Sequence, residues 1–266
     1  MTPTARPVCM IIPAYNTAKT VGTVVREVRA RHIDPIVIND GSSDDTAWTA
    51  IDAGAFVISH VANRGKGMAL RTGFQYALQA GYPLIGTMDS DGQHDPADLP
   101  ALCEAMGDST AAIVVGRRLL QPGRMPWARR VTNRLMSSTI SRVAGQPIPD
   151  SQCGFRLIRS SVLRSVHLST SRYDLESELL LAAARQGWRI VSIPVRTIYQ
   201  QQRSYIRPLT DGVRFFWLVG RFALRGRPSA LRRSLAESQV PSTPVMAGSL
   251  NDPSALTGAA AGDSRA

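Results

Sequence analysis

The segment LIGTMDSDGQHDP, residues 84–96, places two aspartates one residue apart at the end of an apolar run. The apolar run predicts a buried strand, and a strand would put Asp89 and Asp91 on the same face because its side chains alternate. Gly92 then lets the backbone turn away. Two carboxylates at the edge of a sheet suit a hard divalent cation that also binds a diphosphate. Taken alone, such a pair is more often a solvated turn, and the other segments of the chain decide in favour of a cation site.

Apolar runs alternate with helical patterns throughout the first half of the chain. The predicted strands are 8–12, 35–39, 56–58, 84–88 and 112–116, and the predicted helices are 20–31, 44–52, 67–80 and 96–106. This β-α-β-α order predicts an α/β fold with a mainly parallel sheet flanked by helices. Ligands of such sheets collect at the carboxyl ends of the strands, where the polar clusters of this chain also fall.

The second half of the chain has a less regular pattern. It predicts an arginine-rich amphipathic helix at 127–143, a strand at 155–158, a helix at 177–186 and a strand at 189–199, which Pro194 places at a sheet edge. Residues 211–225 form a basic amphipathic pattern that suits an interfacial membrane helix or an ordinary packing helix. We therefore expect one domain over residues 1–226. Residues 227–266, rich in Ser, Ala, Pro and Gly, are expected to be a disordered tail.

The net charge of +11 is carried almost entirely by arginine and is unevenly spread. Residues 117–142 hold seven arginines and no acid, and residues 185–233 hold eleven arginines and one acid. Because the planar guanidinium binds phosphate well, these blocks predict anionic partners: a nucleotide diphosphate, a lipid phosphate, an anionic membrane surface or nucleic acid. Few aromatic residues are interleaved with the basic blocks, so nucleic acid is not expected.

The composition also bears on the cellular compartment. No apolar run reaches the roughly 20 residues of a membrane-spanning helix, and residues 1–7 lack the apolar stretch of a secretory signal. Three scattered cysteines indicate neither a disulfide framework nor a zinc site. We expect a cytoplasmic protein that associates peripherally with the inner face of the membrane.

Seven segments together resemble the family 2 inverting glycosyltransferases of the GT-A type, particularly the dolichyl- or polyprenyl-phosphate mannose or glucose synthases. In chain order they are IIPAYN, INDGSSDDT, NRGKGMALRTGF, MDSDGQHDP, VVGRR, DSQCGFRLI and PVRTIYQQQRSYIRP. Each segment is weak alone, but their common order across roughly residues 7–225 is specific. The resemblance implies a GT-A catalytic domain, a nucleotide-sugar donor, a polyprenyl-phosphate or other lipid acceptor, and Mg²⁺ or Mn²⁺.

The resemblance also assigns residues to the donor and the metal. Asp89, Asp91 and Gln93 would hold the cation and, through it, the diphosphate. The other residues implied in nucleotide or substrate binding are Pro13, Ala14, Tyr15, Asn16, Asp40, Asn63, Arg64, Gly65, Lys66 and Ser90. Several have plainer explanations, since Pro13 and Tyr15 can end a strand and pack in the core, and Asp40 can cap a turn.

A third set would act on the phosphates and the acceptor. Arg117, Arg130 and Arg203 would face donor or acceptor phosphates, although Arg130 also suits a solvated helix face. With Asp91 and Arg117, the carboxylates Asp150 and Glu176 complete the predicted catalytic set. The plainer explanations are a turn for Asp150 and a favourable interaction with a helix dipole for Glu176.

The implied reaction is the transfer of a hexose from GDP-mannose or UDP-glucose to a polyprenyl phosphate, with inversion. An acceptor phosphate oxygen is already anionic near neutral pH, whereas a hydroxyl acceptor requires a carboxylate base. Transfer to a hydroxyl of a glycan or glycolipid is therefore the alternative within this class. A non-catalytic nucleotide- or nucleic-acid-binding module is the alternative from another class. The sequence leaves the oligomeric state open.

Overall fold

The computed structural model describes residues 8–107, 110–118, 127–170, 174–198 and 208–224. For the helices that begin at residues 127 and 208, side chains are described at 130–144, at 215 and at 217–224. The predicted disordered tail at 227–266 lies outside these ranges.

One seven-stranded sheet forms the centre of the molecule, with strand order β3-β2-β1-β4-β6-β5-β7. Strand β6 runs antiparallel to both β4 and β5, whereas the other paired strands are parallel. The predicted mainly parallel α/β sheet is therefore confirmed. The strands are β1 Val8–Ala14, β2 Asp34–Asn39, β3 Phe56–Ser59, β4 Leu84–Thr87, β5 Ile113–Arg118, β6 Arg156–Arg159 and β7 Ile190–Val195.

Helices flank the sheet, and most begin and end within a few residues of the predicted positions. A 3₁₀ turn at Pro96–Asp98 precedes α4, and the carboxylate of Asp95 caps it by accepting from the backbone N–H of Ala97. The helices are α1 Ala18–Arg29, α2 Thr46–Asp52, α3 Lys66–Gln79, α4 Leu99–Gly107, α5 Trp127–Ala144, α6 Ser160–Ser165, α7 Asp174–Arg185 and α8 Pro208–Leu224.

Strand β1 lies in the middle of the sheet and is buried along its whole length. Helix α1 packs against the neighbouring strand β2 and buries the valine stripe that the sequence pattern predicted, at positions 21, 24, 25 and 28. Burial of one such aliphatic side chain stabilises a fold by about 1.5–3 kcal/mol. These valines and β1 belong to a single apolar cluster that continues under β4 and β5.

The structure corrects the predicted end of the first strand. The sequence pattern ended it at Pro13, because a proline has no N–H for a sheet ladder, but β1 continues through Pro13 to Ala14. The Ile11 carbonyl accepts from the N–H of Met88, so the backbone of Ile11 points toward β4. Because the backbone groups of alternate residues in a strand point to the same side, the backbone of Pro13 also points toward β4. The β1–β4 pairing ends at Ile11, and the missing N–H of Pro13 therefore costs no ladder hydrogen bond.

The opposite edge of the sheet matches the prediction made from Pro194. Strand β7 pairs with β5 and is the last strand of the sheet. A proline is tolerated in such a strand because one side of it carries no ladder.

The chain direction brings the polar clusters together. The carboxyl ends of β1, β2, β4 and β5 lie at one edge of the sheet, and the antiparallel β6 begins at the same edge. Within the described ranges, no helix combines the length and the apolar character needed to span a bilayer.

Candidate active site

Lys66 connects two acidic residues at this edge of the sheet. It is the first residue of α3, and its Nζ lies 2.6 Å from Oδ1 of Asp89 and 3.0 Å from Oε2 of Glu176 in α7. Burial alone would lower the pKa of the Lys66 ammonium, but the charges of Asp89 and Glu176 raise it above its ordinary value. Lys66 therefore stays charged and links the loop after β4 to α7.

The two aspartates of the D-x-D segment have opposite electrostatic surroundings. Burial alone would raise the pKa of Asp89, but Lys66 and His94 hold it far below its ordinary value. Burial and then the charge of Asp89 raise the pKa of Asp91. A buried carboxylate whose pKa is raised by a neighbouring charged carboxylate belongs to a donor set whose repulsion a hard divalent cation would relieve.

The predicted metal-binding residues lie together, and their chemistry fits a divalent cation. The backbone N–H of Gln93 donates to Oδ1 of Asp91 at 2.9 Å, which fixes the turn between them. In the ranges that the structure covers, no cluster of three or more His, Cys, Asp or Glu side chains could hold a metal. Such a cation would therefore take further ligands from Gln93, from water or from a bound diphosphate.

The turn before β6 closes one side of the space around the Asp89 carboxylate. The Gly154 backbone lies so close to Asp89 that a Cβ at residue 154 would be 2.6 Å from Oδ2 of Asp89. The Gly154 carbonyl also accepts from Oγ1 of Thr87 at 2.8 Å. Only glycine leaves room for the Asp89 carboxylate in this position.

Arg156 fixes the turn before β6 from inside the protein. Its side chain is 1% exposed, and it donates to the carbonyls of Ser151, Cys153 and Glu176 at 2.8–2.9 Å. A buried guanidinium is costly unless it is hydrogen-bonded, and these three bonds give each of its three nitrogens an acceptor. Arg156 was not among the residues predicted from the sequence, although a charged residue inside the apolar run at 155–158 is a signal of such a role.

Asp150, a predicted catalytic carboxylate, is paired with Arg118 at the end of β5. The guanidinium donates from Nε to Oδ2 and from a terminal nitrogen to Oδ1, both at 2.8 Å, and the Arg118 N–H adds a bond of 3.1 Å. This bidentate ion pair joins the loop before β6 to β5.

Asp40, predicted to contact the nucleoside, binds the loop after β3 within the protein. It is 3% exposed, and it accepts from the N–H of Arg64 at 2.9 Å and of Gly65 at 2.7 Å. Its third partner is the Nδ1 of His60 at 2.7 Å. The side chains of Asn63 and Arg64 are exposed on this loop. A nucleoside contact by Asp40 stays a prediction.

The loop after β1 carries the remaining predicted donor residues. Pro13 and Ala14 are buried in the strand, whereas Tyr15 is 37% exposed. Asn16 has a left-handed backbone with φ of 52°, and its Oδ1 accepts from the N–H of Ser43 at 2.9 Å. This contact ties the loop after β1 to the loop after β2.

Ser90 lies between the two aspartates and is 5% exposed. Its carbonyl accepts from Oγ1 of Thr20 in α1 at 2.7 Å. Ser90 therefore fixes the D-x-D segment to α1, and binding of a ligand by its side chain stays a prediction.

Of the three arginines predicted to bind phosphate, two lie within the described residues, and these two differ in exposure. Arg117 is exposed at the carboxyl end of β5. Arg130 is half-buried in α5, and its Nε has no hydrogen-bond partner among the described residues. Arg203 lies outside the described residues.

The fold and the chain's relatives define its class. The structure of glucosyl-3-phosphoglycerate synthase from Mycobacterium tuberculosis in complex with UDP matches with a TM-score of 0.63 and 21% identity, covering 85% of this chain and 82% of that one. A structure of the same protein with Mn²⁺, UDP-glucose and phosphoglyceric acid also matches with a TM-score of 0.63. This likeness confirms the predicted GT-A glycosyltransferase fold.

Residues 9–166 match the sequence profile of glycosyl transferase family 2, and the chain belongs to this family. It is 31% identical to a UDP-N-acetylglucosamine–dolichyl-phosphate N-acetylglucosaminyltransferase of Methanococcus voltae, over 72% of this chain and 86% of the relative. It is 30% identical to an undecaprenyl-phosphate mannosyltransferase of Micrococcus luteus, over 73% and 84%. A polyprenol monophosphomannose synthase of Mycolicibacterium smegmatis is 28% identical, over 82% and 87%. The protein is a sugar-transferring enzyme, as the sequence segments predicted.

Proposed function

We propose that this glycosyltransferase moves a hexose from GDP-mannose or UDP-glucose to a polyprenyl phosphate at the cytosolic face of a membrane, inverting the anomeric configuration. The named relatives support this acceptor class, because their names specify dolichyl, undecaprenyl or polyprenol phosphates.

The proposal rests on the ion pairs of the two carboxylates that could act as a base, Asp150 and Glu176. Asp150 is held by Arg118 at 2.8 Å, and Glu176 is held by Lys66 at 3.0 Å. Both carboxylates are therefore already engaged by a cationic side chain of the protein itself. An acceptor hydroxyl needs a base, whereas a phosphate monoester already carries an anionic oxygen at neutral pH. The site therefore favours an acceptor that needs no deprotonation.

The donor would bind across the edge of the sheet, with its diphosphate near Asp89 and the start of α3. The N-terminal residue of α3 is Lys66, and the preceding Gly65 supplies no capping side chain. A helix N-terminus and an ammonium both favour a bound diphosphate. A divalent cation held by Asp89, Asp91 and Gln93 would supply further positive charge for the leaving nucleoside diphosphate.

The acceptor phosphate would approach from the side of β5 and α5. Arg117 is exposed there, and Arg130 belongs to the neighbouring arginine-rich block at residues 117–142. These guanidinium groups would orient the acceptor oxygen and reduce its repulsion from the donor diphosphate.

A transfer assay with paired acceptors tests the proposal. The purified protein is incubated with Mn²⁺ and radiolabelled GDP-mannose, UDP-glucose or UDP-N-acetylglucosamine, together with either undecaprenyl phosphate or undecaprenol. We expect label in the organic phase with one donor and only with the phosphorylated acceptor, and we expect Asp91→Asn to abolish it. Equal labelling of undecaprenol would show that a hydroxyl is the acceptor, and no labelling with any donor would refute hexose transfer to these lipids.

A further inference from the structure

His60 occupies a central position between two elements of the donor side. It follows β3 directly, and its side chain is 7% exposed. One ring nitrogen, Nδ1, lies 2.7 Å from Oδ1 of Asp40, and the other, Nε2, lies 2.9 Å from Oγ1 of Thr72 in α3. The imidazole thus bridges the end of β2 to α3.

The partners of the ring fix its tautomer. The Asp40 carboxylate already accepts two backbone N–H groups, and a carboxylate without a proton can only accept. Nδ1 must therefore carry a hydrogen and donate it to Asp40. In the neutral ring, Nε2 then accepts from the hydroxyl of Thr72, which is both a donor and an acceptor.

The Asp40 carboxylate, oriented by His60, binds the donor loop, which we define as residues 63–66. Its carboxylate accepts from the N–H of Arg64 and the N–H of Gly65, immediately before Lys66. Gly41 reinforces the attachment, because a Cβ there would collide with the backbone of Ala62 and Asn63. The backbone of the donor loop is therefore attached to the end of β2, while the side chains of Asn63 and Arg64 remain exposed.

We propose that His60 is a positioning residue that orients Asp40 and thereby holds the donor loop in its nucleotide-binding conformation. This inference rests on the proposed function only in taking the bound ligand to be a nucleotide. The contacts that connect His60 to the loop lie within the protein and do not depend on it. His60 acts through Asp40 and has no assigned contact with a substrate.

Two substitutions distinguish the roles of the two ring nitrogens. His60→Asn keeps an N–H donor close to the position of Nδ1, whereas His60→Gln moves the donor toward the position of Nε2. We expect His60→Gln to speed amide hydrogen exchange of Arg64 and Gly65 about tenfold, the effect of losing one hydrogen bond. His60→Asn should stay within about threefold of the unaltered protein. His167→Gln, at an exposed position, is the control and should change nothing.

Nucleotide binding and the ring tautomer supply the other readouts. With Mn²⁺ present, the Kd of UDP or GDP should rise about tenfold in His60→Gln and recover in His60→Asn. Nitrogen NMR of the unaltered protein should show hydrogen on Nδ1 of His60. Unchanged amide exchange in His60→Gln, equal effects of the two substitutions, or a neutral ring with hydrogen on Nε2 would each overturn the inference. If the unaltered protein bound neither UDP nor GDP, the proposed donor would fail, and the amide exchange would still decide the role of His60.

Discussion

Lys66 and Gly154 show how little freedom the Asp89 carboxylate has. The ammonium of Lys66 contacts it at 2.6 Å on one side, and the Gly154 backbone closes the other side. Interiors are packed closely enough that a single added methyl group has to displace a neighbour. The position of Asp89 is therefore sensitive to small changes at residues that have no catalytic chemistry of their own.

Gly154→Ala tests this dependence. The new Cβ would lie 2.6 Å from Oδ2 of Asp89 and force the carboxylate to shift. A shift of about 1 Å in an active site can cost about a hundredfold in rate. We expect a loss of that order in sugar transfer, measured by the lipid-labelling assay, while thermal unfolding shows that the protein remains folded. Gly107→Ala is the matched control, because a Cβ there meets nothing within 4 Å. Full activity of Gly154→Ala would contradict this account of the pocket.

Glu176→Gln distinguishes the two acceptor classes. If the acceptor is a phosphate, no base is needed, and removing the charge of Glu176 should reduce kcat less than about tenfold. If a hydroxyl is the acceptor and Glu176 is its base, the loss should be about a hundredfold or more. The measurement is kcat with undecaprenyl phosphate at saturating donor. A loss above a hundredfold with folding intact would argue against the phosphate acceptor.

At the scale of elements, Glu178 joins α7 to α8. It is 0% exposed and accepts from Ser169 and Thr170, and it forms a 2.8 Å ion pair with Arg221 of α8. Burial alone would raise the pKa of Glu178, but the hydrogen bonds from Ser169 and Thr170 lower it below its ordinary value. A carboxylate with a lowered folded-state pKa stabilises the fold above its unfolded pKa, and this stabilisation is lost as the pH falls.

Glu178→Gln should therefore lower the free energy of unfolding most at neutral pH, by about 2–3 kcal/mol. The difference from the unaltered protein should shrink as the pH falls below 4.5, the ordinary value for this carboxyl, because the unfolded chain then takes up a proton that the native carboxylate binds only at lower pH. Urea unfolding between pH 3 and pH 7 measures this difference. Glu27→Gln breaks an exposed pair with Arg31 and serves as the control, with an expected effect under about 0.5 kcal/mol. A difference that did not depend on pH would contradict the role given to the charge.

At the scale of the whole molecule, basic and apolar residues occur together on two neighbouring helices. Helix α8 packs against α5 and α7. Among the side chains that the structure describes on α5 and α8, the exposed large apolar ones are Val131, Leu135, Trp217 and Leu224. Seven arginines at residues 117–142 add positive charge to the same region of the sequence. Apolar side chains beside basic ones suit an anionic membrane surface, where a polyprenyl phosphate would be found.

Trp217→Glu tests membrane binding through α8. Trp217 is 66% exposed, so its replacement should leave the fold intact while removing apolar area from the interface. We expect binding to phosphatidylglycerol vesicles in a sedimentation assay to weaken about tenfold. Raising the salt concentration should weaken the binding of the unaltered protein too, because the arginine contribution is screened. Trp48→Glu alters a 73% exposed tryptophan on α2 and should bind normally. Equal losses in both variants would rule out α8 as the membrane contact.

Local pattern alone predicted most of the strands and helices. The valine stripe of α1 and the apolar runs of β2 and β4 are recognisable without knowledge of their neighbours, because periodicity reflects burial on one face. Helix α6, with six residues, is too short to produce a helical period and was missed. Helix α7 begins at Asp174, three residues before the predicted start, because acidic residues favour the first turn of a helix.

The sequence by itself determined the mainly parallel sheet, the family, and the position of Asp89 and Asp91 after β4, because each of these can be recognised from short segments and from their order along the chain. Only the tertiary structure decided that Lys66 pairs with Asp89 and Glu176, that Arg118 holds Asp150, and that His60 and Asp40 hold the donor loop. Each of these contacts joins side chains from different elements. Their distances are set by how the strands are ordered and how the helices pack on the sheet, which no local pattern specifies.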